Sequence, residues 1–156
     1  MAVDLEEELQ RVTDALASEH VPYALCGGLA LAVHGFPRAT KAIDLLVRDT
    51  DLPSAFEALA RAHFTLRSGP IPLGVRTSTP QTLHRASRII EGVPCTVDLL
   101  CVSASYQAAW DSKLTVEWRG RPLQVVSREG LVAMKRLSSR LKDQADVAAL
   151  EGRDEE

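Results

Sequence analysis

The chain has 156 residues, enough for one domain or for one domain with a small helical appendage. Apolar residues make up 46% of it but aromatics only 4%, so any core must be built mostly from Leu, Val and Ala. A net charge of -3 argues against a broadly basic nucleic-acid surface, while leaving room for a local basic pocket.

Val3 to Leu9 is acidic and lacks an apolar h-region, so no signal peptide is expected. No run approaches the ~20 apolar residues of a membrane span. A cytoplasmic protein without a membrane partner is the expectation. Cys26, Cys95 and Cys101 are odd in number and lie in or beside apolar strand-like runs, which suits buried free thiols. Neither a disulfide framework nor a zinc site has the spacing it needs.

Asp4 to Glu19 predicts an amphipathic helix, with Leu5, Leu9, Val12 and Leu16 on one side and Asp4 as its cap. Pro22 ends it, and Tyr23 to Cys26 follows as a short strand. Gly27-Gly28 then leads into a helix over Leu29 to His34, stopped by Gly35. Lys41 to Val47 reads as a buried strand. A helix over Pro53 to Ala62 starts from Thr50 or Asp51 as cap. Phe64 to Arg67 is a short strand, and the Gly-, Pro- and Ser-rich Ser68 to Pro80 a loop. Thr82 to Ile90 and Val93 to Val102 form a hairpin about Glu91-Gly92. After a short helix over Ser105 to Ser112, Leu114 to Trp118 and Pro122 to Val126 form a second hairpin. Ser127 caps a helix over Glu129 to Leu137, and Arg140 to Leu150 makes the last, ended by Gly152. The pattern is α/β (α+β), a single domain of 1–156 with a mixed central sheet flanked by helices. Its core spans about 20–126, and its C-terminal helical part, about 127–151, packs on one side.

Two acids stand where acids are costly. Asp44 and Asp98 occupy the middles of two apolar strands, Ile43-Asp-Leu-Leu-Val and Val97-Asp-Leu-Leu. Each could be a buried acid held by an arginine or by backbone N–H groups. Two carboxylates converging from neighbouring strands would equally suit magnesium, a hard cation that takes oxygen ligands. Gly27-Gly28 is neither a dinucleotide fingerprint nor a Walker loop. Between strand and helix it is either a tight turn or a place where the chain approaches a phosphate closely. Arg38, Thr40 and Lys41 could help hold polyphosphate or form an ordinary solvated loop.

The run from Cys26-Gly-Gly through His34-Gly, Arg38-Ala-Thr and Ile43-Asp-Leu-Leu resembles the signature of the polymerase-β-like nucleotidyltransferase superfamily. It is most similar to the AbiEii-type minimal group, the toxin halves of some toxin–antitoxin and abortive-infection systems. Lys135 to Leu150 is similar to that group's second signature, a Lys followed by Arg-x-Lys-Asp and Asp. The likeness covers about residues 20–150. It implies transfer of a nucleoside monophosphate from an NTP to a hydroxyl of RNA, protein or a small molecule, with Mg²⁺ or Mn²⁺ as cofactor. Asp44 and Asp98 would be the second and third catalytic acids and the metal ligands. Gly27 and Gly28 would hold phosphate, and Arg38, Thr40, Lys135, Arg140 and Lys142 would lie on the substrate side. Asp143 and Asp146 would cap or brace the C-terminal helices, and local pairs on one helix, with Arg140 and Lys142, are a sufficient account. An antitoxin-like partner and a tRNA or other acceptor follow from the resemblance alone. An aminoglycoside- or lincosamide-type transferase shares the expected fold and is an enzyme rival.

The departure is at position 42, where the first acid of the pattern is Ala42. Residues two apart in a strand share a face at ~6.6 Å, so a carboxylate there would stand beside Asp44. Paired carboxylates bridge metals ~3.5–4 Å apart; a methyl group supplies no oxygen. Ala42 is either a substitution in a working enzyme or the mark of a pseudoenzyme that still binds a nucleotide or a partner. Activity of the chain as written is expected to be impaired.

Overall fold

The computed structural model describes residues 3–36, 39–76, 79–137 and 141–154. The two apolar runs that carry the acids become neighbours in the middle of a seven-stranded mixed sheet. Its strands are β1 (Ala24–Cys26), β2 (Ala42–Val47), β3 (Leu66–Leu73), β4 (Gln81–Ile90), β5 (Val93–Cys101), β6 (Leu114–Trp118) and β7 (Arg121–Val125), in the order β3-β4-β5-β2-β1-β7-β6. β2 runs parallel to β5 and β1 to β7, and the other neighbours are antiparallel.

Among the described residues six α-helices accompany the sheet: α1 (Leu5–Ser18), α2 (Gly27–Val33), α3 (Leu52–Arg61), α4 (Gln107–Asp111), α5 (Arg128–Arg136) and α6 (Leu141–Asp154). The Asp4 side chain accepts from the Glu7 N–H at 3.2 Å, so α1 begins as its sequence predicts. Leu9, Val12 and Leu16 on one face of α1 are buried with Ile43, Leu45 and Val47 of β2 in one core. α3 packs beside α1, and α5 and α6 pack against each other to one side of the sheet. Ser127 caps α5 by accepting from the Gly130 N–H at 3.0 Å.

Local chemistry sets the ends of several elements. Both hairpins close through two-residue turns with left-handed backbone, Glu91-Gly92 (φ 51° and 80°) and Arg119-Gly120 (φ 51° and 79°). α1 ends at Ser18, four residues before the proline predicted to stop it. His20 adopts φ 56° and Val21 N–H returns to the Leu16 carbonyl at 2.9 Å.

Three expectations need correction. The stretch from Ser68 is not loop throughout, because β3 continues to Leu73. Pro70 and Pro72 are tolerated there because β3 is an edge strand, and its pairing shifts register between Ser68 and Ile71. Asp51 precedes α3 but makes no side-chain cap, since its carboxylate accepts instead from Arg48 Nε at 2.9 Å. α6 runs through Gly152 to Asp154. Among the described residues no helix is long and apolar enough to cross a membrane.

Candidate active site

Strand register builds the site. Parallel pairing of β2 with β5 sets Asp44 directly beside Asp98. On one side β1 adds Cys26 next to Asp44, and on the other β4 adds Arg85 next to Asp98. One row across four strands therefore reads Arg85, Asp98, Asp44, Cys26. Ala42 lies two residues before Asp44, paired with Thr96.

Arg85 grips Asp98 with two hydrogen bonds, Nε to Oδ1 at 2.7 Å and Nη2 to Oδ2 at 3.2 Å. This is bidentate recognition, stronger and more directional than a single ion pair. The hydrogen bond and charge of Asp98 hold the guanidinium protonated even more firmly than usual. Arg85 had a sequence signal. Counted outward from the Glu91-Gly92 turn, residue 85 falls opposite residue 98. The expectation that an arginine could hold one of the buried acids is met at Asp98. At the opposite end of the row, burial pushes the Cys26 thiol well above its ordinary range, with the Asp44 charge adding to it. Cys26 thus stays a neutral packing group.

The glycine pair is required by packing. Gly27 opens α2 at φ 68°, and a Cβ there would stand 2.1 Å from Asp44 Oδ2. A Cβ on Gly28 would stand 2.9 Å from the Thr40 Cβ. The chain passes so close to the Asp44 carboxylate and to Thr40 that only glycine fits. Thr40 in turn donates from Oγ1 to the Ala42 carbonyl at 3.2 Å. His34, just past α2, donates from Nε2 to the Val126 carbonyl at 2.8 Å and ties that end of the helix to the start of α5.

Lys135 of α5 lies 3.1 Å from Asp146 of α6, and both side chains are buried. Asp146 thus braces the two C-terminal helices, as expected of it; the side chain of Lys142, its expected local partner, lies outside the described residues. A buried carboxylate needs a cation at once, and the facing helix supplies one.

These residues line a cleft of 820 Å³. Gly27, Gly28, Thr40, Ala42, Asp44, Asp98 and Lys135 all face it, together with Arg85. Arg38 and Arg140 lie outside the described residues, as do the side chains of Lys142 and Asp143. The volume falls in the range of small-molecule and cofactor sites, ~300–1,000 Å³.

The donor set does not fit a two-metal centre. Among the described residues no three His, Cys, Asp or Glu side chains come together as ligands. Position 42 offers a methyl group, and both Asp98 oxygens accept from Arg85. Asp49 and Asp51 lie beyond the end of β2, where Asp51 is paired with Arg48.

No protein-family model matches the sequence, and no curated protein matches it. Solved structures do. A Thermotoga maritima protein provisionally assigned as a nucleotidyltransferase superposes with a TM-score of 0.60 at 18% identity, over 93% of this chain and 91% of that one. The chain has the nucleotidyltransferase fold. The lincosamide antibiotic adenylyltransferase LnuA, with lincomycin bound, has this fold too, with a TM-score of 0.58 at 15% identity over 94% of this chain and 96% of its own. ANT(2'')-Ia in complex with adenylyl-2''-tobramycin follows at 0.54 and 14%, over 93% and 95%. At such identities the nucleotidyltransferase fold is what is shared, and the cleft chemistry must be argued from this chain's own residues.

Proposed function

We propose that this chain binds a nucleoside triphosphate in the Asp44–Asp98 cleft and that its transfer chemistry is impaired at Ala42. The observation that carries the reading is the row Arg85, Asp98, Asp44 with a methyl group two residues before Asp44. It keeps the polar floor of a nucleotidyltransferase cleft while removing the oxygen that would complete a metal pair. In an active relative the reaction would move a nucleoside monophosphate onto a hydroxyl, with pyrophosphate leaving, by positioning and electrostatic stabilisation. Gly27, Gly28, Thr40 and Lys135 would hold the nucleotide here, with Arg38, Arg140 and Lys142 as further substrate-side groups. The toxin-type reading, with an antitoxin partner and an RNA or protein acceptor, rests on the two sequence signatures. A small-molecule acceptor is favoured by the likeness to LnuA and to ANT(2'')-Ia, both described with an antibiotic or its adenylylated form bound.

Calorimetric titration with ATP, GTP, CTP and UTP tests the binding. At least one should bind the chain as it stands, and failure of all four ends the nucleotide reading. Ala42→Asp should then yield Mg²⁺-dependent nucleotide transfer, followed by pyrophosphate release across RNA, protein and antibiotic acceptors. Transfer by the unaltered chain as fast as by the variant would overturn the assignment of Ala42 as the lesion.

A further inference from the structure

The row of side chains across the sheet sets a permanent cation where the donor set for a metal is incomplete. Arg85 spends Nε and Nη2 on Asp98, while Nη1 has no acceptor among the described residues. A guanidinium carries five N–H donors in a rigid fork, so one bound edge leaves another for a second anion. The Arg85 side chain is 42% exposed and Asp98 only 8%, so the outer part of the guanidinium fronts the cleft it lines.

The charge around the cleft points the same way. Its described lining holds Lys41, Arg85 and Lys135 against Asp44 and Asp98, and Lys135 is itself paired with Asp146 behind the lining. In a carboxylate site that works with metal ions, the metal is the largest local charge and reverses the sign of the field. Here Ala42 removes one carboxylate and Arg85 neutralises another. A polyphosphate therefore meets a lining near charge balance, rather than the net negative one of an intact carboxylate site, before any metal is added.

We propose that the Arg85 guanidinium is the cation on which the nucleotide's phosphate docks, and that this chain consequently takes its nucleotide without a divalent metal. The proposal rests on the nucleotide-binding reading above and names the group that makes such binding independent of metal. Arg85 would serve as anchor for phosphate and as counter-ion for Asp98 at the same time.

The test compares nucleotide affinity in EDTA and in Mg²⁺ by calorimetry, using whichever of ATP, GTP, CTP and UTP binds. Affinity in EDTA should lie within about threefold of that in Mg²⁺, and Arg85→Gln should weaken binding in EDTA at least tenfold, about 1.4 kcal/mol. Arg85→Lys should lose less, since it keeps the charge and forfeits only the fork. Arg85→Gln also leaves Asp98 buried without its partner, so the paired change Arg85→Gln/Asp98→Asn supplies a neutral hydrogen-bonded equivalent. Loss of EDTA binding in that folded double variant supports the proposal. Binding seen only with Mg²⁺, or an unchanged affinity in the double variant, overturns it while leaving the nucleotide reading in place. Absence of binding in both buffers would remove the nucleotide reading itself.

Discussion

At position 42 a methyl group occupies the same face of β2 as the Asp44 carboxylate, and the chemistry open to the cleft turns on that difference. Asp44 and Asp98 were legible as site residues because a charge inside an apolar strand demands a reason. Arg85 was not singled out, because arginine in a partly exposed strand is ordinary until the hairpin register puts it opposite an acid. Asp146 illustrates the limit of local reasoning. Spacing along one helix gives no sign of Lys135, which the structure places 3.1 Å from it across helices. Asp146 is fully buried 3.1 Å from Lys135, so Asp146→Ala removes a charge partner from a buried ammonium. The expected loss is about 3–5 kcal/mol in urea unfolding, the range for a buried pair cut on one side. A loss below about 1 kcal/mol, the range of exposed pairs, would show that the two side chains do not depend on each other.

Among the elements, those governed by neighbours in sequence follow their predictions most closely. The Asp4 and Ser127 caps and the two-residue turns at Glu91-Gly92 and Arg119-Gly120 each form where their residue types favour them. β3 runs past the predicted Arg67 because proline and glycine argue only against a central strand, and sheet order makes this one an edge. Gly152 is the reverse case, a residue type that favours helix ends but lies inside α6. A Cβ at Gly152 meets nothing within 4 Å, and its backbone is not left-handed. Gly152→Ala should therefore stabilise the protein by about 0.5–1 kcal/mol through helix propensity, read from the urea midpoint at unchanged slope. A destabilised variant would mean that the glycine caps the helix after all.

For the molecule as a whole, buried thiols link stability to alkaline pH. Burial pushes Cys95 from an ordinary value of 9.0 to about 11, with the Glu8 charge raising it and Arg88 lowering it. Burial also raises Cys26 and Cys101, and it raises the Tyr23 phenol. The unfolded chain loses these protons at lower pH than the folded one, so it binds fewer of them in alkaline solution. Stability is then fully present below pH 9 and falls as pH rises from there through about 11. Urea unfolding at several pH values across that window should show the decline, and Cys95→Ala should flatten it. An equal decline in the variant would assign the effect to the other groups.

The sequence by itself determined the order of the elements, the two acid-bearing strands and the likeness to a nucleotidyltransferase. Those features rest on periodicity, caps, turns and motifs, all of which act over a few residues. It also made Ala42 visible as a departure, because residues two apart in a strand share a face. Only the tertiary structure decided which side chains meet. The pairing of Arg85 with Asp98, the fit of Gly27 against Asp44 and the Lys135–Asp146 bridge depend on strand register and helix docking. Such contacts join residues distant in the chain, and spacing along the sequence carries no record of them until the sheet is assembled.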